Sequence, residues 1–250
     1  MFLSLRRSAK HRRRVFNCIQ VEVTSRCFLK CVMCPNYILA DRWISMDMRP
    51  DILKAIVEEA DSANLIYLSG WGEPLMRPDL PKLVKAVRNA GTAAGFTTNG
   101  MLLDRGRARE LLNAGLDIIS ISVAGATRET HGRVRVGSDL ERIMENVAYL
   151  TALKRRLRTD EPKVVLLYLM LKQNVHELPL AVQMAHEIGA DELVATNITY
   201  APSPAQDEMR VFSCPGCQQA DYGPFVREAE EKARDLGLAF RAYPLHMEEV

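Results

Sequence analysis

Val164-Val-Leu-Leu-Tyr-Leu-Met170 is apolar at every position. A strand with one wet face alternates polar and apolar residues. An unbroken apolar run of this length suits a strand covered on both faces, as in a parallel sheet flanked by helices. Working outward from it, the chain repeats strand, loop and helix. Strands are expected over Cys18–Thr24, Leu65–Ser69, Thr92–Thr98, Asp117–Val123 and Glu192–Thr199. Helices are expected over Pro50–Ala60, Leu80–Ala90, Asp104–Ala114, Leu140–Leu157 and Leu178–Ile188. Pro50 suits a first helical turn, and Gly115 suits a helix end.

Six such units predict parallel pairing with right-handed crossovers, an α/β fold. The sheet could close as a doubly wound open sheet or as part of a (β/α) barrel. In both, ligands bind at the carboxyl ends of the strands. Chemistry is therefore expected just after Thr24, Ser69, Thr98 and Val123. Beyond residue 200 the repeat breaks at Pro202, Pro204, Cys214-Pro-Gly-Cys217 and Pro224. A helix over Val226–Leu236 and a short strand over Leu238–Ala242 follow.

Hydrophobic residues make up 48% of the chain and charged residues 26%. These values exclude collagen-like and disordered classes. No run of eighteen apolar residues is present, so no transmembrane helix or membrane partner is expected. The net charge of +2 is uneven. Residues 1–14 carry six Lys or Arg and no acid, which leaves the rest of the chain at −4. A solvated, disordered basic tail over residues 1–15 is expected, and nucleic acid is not expected as a partner. Twin arginines precede Phe16, but Gln20 and Glu22 interrupt any apolar export segment.

The cysteines stand at 18, 27, 31, 34, 214 and 217. They are clustered rather than spread as a disulfide framework. With no secretory signal, a reducing cytoplasmic location is expected, where clustered thiols serve metals or redox chemistry. Cys27, Cys31 and Cys34 follow the first expected strand directly. Their C-x3-C-x2-C spacing differs from the C-x2-C pairs of zinc ribbons and the C-x2-C-x2-C runs of ferredoxins. Thiolates suit iron–sulfur clusters, zinc or Cu(I). Three ligands on a four-iron cluster would leave one iron open. The alternative is a helix, because offsets of 0, 4 and 7 share one helical face.

The stretch Glu22-Val-Thr-Ser-Arg-Cys-Phe-Leu-Lys-Cys-Val-Met-Cys-Pro35 resembles the cluster motif of the radical S-adenosylmethionine (SAM) superfamily, in the form found in its SPASM-type subgroup. Ser69-Gly-Trp-Gly-Glu-Pro-Leu75 is similar to that family's Gly-Gly-Glu motif, with Trp71 where the doubled-glycine form has its first Gly. Phe96-Thr-Thr-Asn-Gly-Met101 resembles its Thr-Asn-Gly strand end. Ser120-Ile-Ser-Val-Ala-Gly125 resembles the segment touching the ribose and methionine of SAM, with Ala124 where members often carry Asp.

The resemblance covers residues 16–200 and implies a partial (β/α)6 TIM-like barrel over that span, followed by an irregular segment over 201–250. It implies that Cys27, Cys31 and Cys34 hold a [4Fe-4S] cluster whose open iron is chelated by SAM. It also implies SAM contacts from Gly70, Gly72, Glu73, Thr98, Asn99 and Ser122. Met33 would replace an aromatic residue over the adenine, and Arg26 would face either the substrate or the cluster. The implied enzyme is an iron–sulfur oxidoreductase. It cleaves SAM reductively to a 5′-deoxyadenosyl radical that takes hydrogen from a substrate, with a reductant such as flavodoxin or ferredoxin as partner. No protein side chain is expected to act as catalytic acid, base or nucleophile. A peptide or protein side chain is the leading substrate, and a small metabolite or cofactor precursor the next. A non-catalytic zinc module with a nucleic-acid-binding tail is the reading from another class. SPASM-type members continue into a cysteine-rich extension that these 250 residues lack. Cys214 and Cys217 are read as a loop without metal, against a zinc, auxiliary-cluster or disulfide half-site. Cys18 is expected to be a buried or strand-end thiol without metal.

Overall fold

A computed structural model describes residues 14–211 and 221–243. The basic run before Arg14 and the Cys214-Pro-Gly-Cys217 pair lie outside the described residues. Seven strands form one sheet: β1 (Phe16–Gln20), β2 (Ala63–Tyr67), β3 (Ala93–Thr98), β4 (Ile118–Val123), β5 (Lys163–Leu169), β6 (Glu192–Thr196) and β7 (Ala239–Ala242). They lie side by side in sequence order, and every neighbouring pair is parallel. β1 and β7 do not pair with each other, so the sheet is a half-barrel rather than a closed one. Beyond the six strands of the repeat, the short strand expected over Leu238–Ala242 forms at Ala239–Ala242 and pairs with β6 as the seventh.

A helix follows each of the first six strands: α1 (Pro50–Glu58), α2 (Leu80–Asn89), α3 (Arg105–Ala114), α4 (Leu140–Leu157), α5 (Leu178–Glu187) and α6 (Gly223–Leu236). Their inward faces are set by spacing. α2 buries Leu80, Leu83, Val84 and Val87, an i, i+3, i+4, i+7 stripe. Their ends are set by local chemistry. The Asp104 side chain accepts from Arg107 N at 2.8 Å, and Gly115 closes α3 at φ 81°. The run that predicted the fold, now β5, is buried along most of its length between β4 and β6.

The first strand departs from expectation by ending at Gln20, not Thr24. Val21 N still donates to Tyr67 O at 2.8 Å. Beyond it the chain leaves the sheet for a different partner. Met48 N donates to Val23 O at 3.0 Å, and Thr24 pairs antiparallel with Asp47. Cys18, expected to be buried or at a strand end, is exposed in the middle of β1. A second departure is an antiparallel two-residue ladder between Lys30–Cys31 and Arg135–Val136. Arg135 ends a short helix, Arg128–Val134, that also had no counterpart in the sequence reading.

Candidate active site

At the carboxyl end of the sheet lies a cavity with about 950 Å³ of empty space, its open mouth included. Cys27, Cys31, Cys34, Gly70, Glu73, Thr98, Asn99 and Ser122 all line it. The implied contacts therefore meet, although they come from four separate stretches of chain. Gly72 does not line the cavity but secures its wall. A Cβ on Gly72 would sit 2.1 Å from the Thr24 carbonyl oxygen. Gly70 is confined by a side chain instead, with Glu22 Oε1 2.4 Å from any added Cβ. Trp71 N donates to Glu22 Oε1 at 2.6 Å, and Glu73 N to Arg26 O at 2.8 Å. The 22–26 stretch thus docks directly on the 70–73 turn. With the Thr24–Asp47 bridge, that contact replaces sheet pairing for the stretch beyond Val21.

The cysteine loop is not a helix. Lys30–Cys31 is extended, a turn follows at Val32–Met33, and Cys34 precedes the short helix Pro35–Ile38. The three thiols are free, with no disulfide among them. Burial pushes the Cys27 thiol up to about 11, and the Glu73 charge adds to that rise. Burial also raises the Cys34 thiol. Such thiols ionise only if a cation replaces the proton, as a metal does. Among the described residues, no three His, Cys, Asp or Glu side chains form a group able to hold one metal ion. A four-iron cluster makes no such demand, because each thiolate takes a different iron. Three soft thiolate donors on one loop suit the irons of such a cluster.

Glu73 is 2% exposed. Its Oε1 accepts from Leu75 N at 3.0 Å and Thr98 Oγ1 at 2.7 Å, and its Oε2 accepts from Asn99 N at 2.7 Å. A carboxylate offers about four lone-pair positions, so one acceptor position remains for a ligand. Burial raises its pKa, and the three donors work against that rise. Asn99 Oδ1 accepts from Met101 N at 3.0 Å, while Asn99 Nδ2 is buried with no protein partner. Ser122 is buried beside this group, and Met33 also lines the wall. Ser120 instead accepts from the Tyr67 hydroxyl at 2.8 Å.

Arg135 was missed from sequence. It lines the cavity, with Nη1 4.0 Å from Cys31 Sγ, and its Nε is buried without a partner. Its one sequence signal is position, ten residues past the Ser120–Gly125 stretch. Arg26, considered for a cavity role, points away and pairs with Asp47 at 3.4 Å. Behind the site, Glu177 accepts from Ala126 N, Thr127 N, Thr127 Oγ1 and Thr130 Oγ1 at 2.6–3.1 Å. It holds the start of the helix that ends at Arg135. Fully buried Asn174 donates to Ala124 O at 3.1 Å and to Leu169 O at 2.9 Å.

A family model described as the Radical SAM superfamily matches residues 21–185. The PqqA peptide cyclase of Bradyrhizobium diazoefficiens is 34% identical over 184 residues, 73% of this chain and 46% of its own length. The tungsten-containing aldehyde ferredoxin oxidoreductase cofactor-modifying protein of Pyrococcus furiosus is 28% identical over 187 residues, 72% of this chain and 51% of its own length. This chain thus spans about half the length of these curated relatives. Streptococcus suis SuiB bound to S-adenosylmethionine superposes with a TM-score of 0.70 at 16% identity, covering 94% of this chain and 52% of that one. That likeness shows the fold, a partial barrel of parallel strands.

Proposed function

The chain belongs to the radical SAM superfamily, and from that premise we propose that it binds a [4Fe-4S] cluster through Cys27, Cys31 and Cys34 and SAM in the adjoining cavity. The observation that carries this reading is the meeting of three free thiols and the buried Glu73 carboxylate on one cavity wall. When bound, cluster and SAM together supply reductive cleavage, one electron breaking the sulfonium C–S bond to give methionine and a 5′-deoxyadenosyl radical that takes hydrogen from a substrate carbon.

The protein's part is to bind and orient. The open acceptor position on Glu73 receives the SAM ammonium, as a charge-assisted hydrogen bond. Arg135 and Asn99 Nδ2 supply donors for the SAM carboxylate, and Ser122 adds a hydroxyl. Gly70 and Gly72 keep the 70–73 turn against the cysteine loop, so both groups share one frame. Thr98 acts through Glu73, which it holds in place. No side chain needs to act as acid, base or nucleophile.

A peptide side chain is the proposed substrate, supported by the kinship with PqqA peptide cyclases at up to 34% identity. A small metabolite is the second reading, supported by 26% identity to a probable GTP 3′,8-cyclase of Methanococcus maripaludis. A flavodoxin or ferredoxin is the proposed electron donor. A reducing cytoplasm is the proposed location, because the three thiols must stay reduced. No helix among the described residues is long and apolar enough to cross a membrane.

Iron, sulfide and zinc analysis of anaerobically purified protein, with SAM equilibrium dialysis, tests this proposal. About four irons with matching sulfide and saturable SAM binding are expected. One zinc without sulfide would refute it.

A further inference from the structure

Residues 15–250 carry a net charge of −4, yet the surface where α3 meets α4 is rich in arginine. Arg105 and Arg109 of α3 both lie over the ring of Tyr149 on α4, with their guanidinium carbons 5.3 and 5.8 Å from its centroid. Beside them an open groove with about 420 Å³ of empty space runs between the two helices. Its walls are Arg109, Leu112 and Asn113 from α3 and Leu153, Arg156 and Leu157 from α4. Both arginines are exposed, and so is Leu157, at 54%. α3 and α4 run back along the sheet against the strands. Their last turns therefore lie at the amino ends of the strands, opposite the cysteine cavity.

The arginines of this groove lack a counter-charge. Arg107 pairs with Glu110 at 3.2 Å, but Arg105, Arg109 and Arg156 form no ion pair among the described residues. Of the residues outside that description, only Glu248 and Glu249 have acidic side chains. Two guanidinium groups gathered on one ring repel each other, and an anion beside them relieves that repulsion. The ring also holds them in place, so they lose little freedom on taking a carboxylate in bidentate fashion. The leucines decide what else the ligand carries. A phosphodiester backbone has nothing apolar to set against Leu112, Leu153 and Leu157. A peptide helix places acidic and apolar residues side by side at i, i+3 and i+4.

We propose that this groove docks an acidic segment of a second polypeptide. Its apolar side chains cover Leu112, Leu153 and Leu157, and its carboxylates bind Arg109 and Arg156. Arg105 extends the cationic lip. The inference goes beyond the function proposed above and does not rest on it, because the groove and the cavity share no residue.

Fluorescence anisotropy of the cluster-loaded full chain with the labelled peptide Glu-Glu-Leu-Glu-Glu-Leu-Leu-Glu-Glu tests it. Saturable binding is expected. Replacing every Glu of the peptide by Gln, or every Leu by Ser, should weaken binding about tenfold or more. In the protein, Arg109→Gln and Arg156→Gln should each weaken it about five- to tenfold, and Leu157→Ser about threefold. Arg155→Gln should leave it unchanged, since Arg155 reaches toward Gly189 on the α5 side instead. Absence of saturable binding, equal binding of the Ser peptide, or full affinity in the double variant of Arg109→Gln and Arg156→Gln would overturn the inference. Tighter binding of a uridine oligonucleotide of equal charge would replace the peptide with RNA and refute it. A marked gain in affinity on combining Glu248→Gln with Glu249→Gln would show that the chain's own end fills the groove, and would refute it too. SAM binding, measured in parallel, reports on the proposed function alone.

Discussion

Gly72 touches Thr24 backbone to backbone: a Cβ on Gly72 would come within 2.1 Å of the Thr24 carbonyl oxygen. The contact joins the turn after β2 to the stretch that leads into the cysteine loop. It leaves no flexible side chain to yield. Gly72→Ala should therefore destabilise the fold by about 1–3 kcal/mol, the usual range for overpacking a tight site. Thermal unfolding checks it. An unchanged Tm would show that the two segments can separate freely.

Glu73→Ala should weaken SAM binding by roughly 1–3 kcal/mol, the range for a lost charge-assisted hydrogen bond. Iron content should stay at the wild-type level, because Glu73 lines the cavity without being a thiol ligand. Dialysis with labelled SAM and iron analysis separate the two effects. Unchanged SAM affinity in a folded, cluster-loaded variant would remove Glu73 from the site.

Cys27→Ala, Cys31→Ala and Cys34→Ala should each lose the brown iron–sulfur chromophore. Cys18→Ala should keep it, since Cys18 is exposed on β1 and does not line the cavity. Iron retained by a triple variant at 27, 31 and 34 would refute the assignment.

Arg135 Nη1 stands 4.0 Å from Cys31 Sγ. A positive charge beside a cluster favours its reduced form. Arg135→Gln should lower the cluster potential by roughly 30–60 mV, with iron retained. A potentiometric titration followed by electron paramagnetic resonance reads this, and an unchanged potential would place Arg135 outside the cluster's field.

Glu177 has a clear pH signature. Burial pushes its pKa up, but hydrogen bonds from Thr130, Ala126 and Thr127 outweigh that and hold it below the usual carboxylate range. A lowered folded-state pKa stabilises the protein above the unfolded value, and the gain is lost as pH falls through the folded value. Glu177→Gln should cost ~2–3 kcal/mol at neutral pH. The gap to wild type should stay constant down to about pH 5 and shrink below about pH 4. Denaturant melts across that range check it. A gap independent of pH would show that the carboxylate charge contributes nothing.

The legible and illegible parts of this protein divide by the range of the interaction. β5 was readable because its apolar run needs cover on both faces, and α2 because its stripe repeats within eight residues. The cysteine spacing and the Gly72-Glu73 pair were readable because each motif is short and local. Early termination of β1 was not, because it depends on Thr24 pairing with Asp47 and on the 70–73 turn docking alongside. Arg135 was hidden for the same reason. Its place is set by a ladder with Cys31, 104 residues away, and by Glu177 gripping the far end of its helix. Neither partner leaves a periodic trace in the sequence.

The central claim is that this cavity holds a cluster and SAM in a productive pair. The most direct measurement is anaerobic incubation of the reconstituted chain with SAM and dithionite, followed by chromatographic detection of 5′-deoxyadenosine. The account predicts 5′-deoxyadenosine and methionine in equal amounts from the wild type, and neither from the triple variant at Cys27, Cys31 and Cys34. A wild-type chain that carries its cluster, binds SAM and still releases no 5′-deoxyadenosine would contradict it.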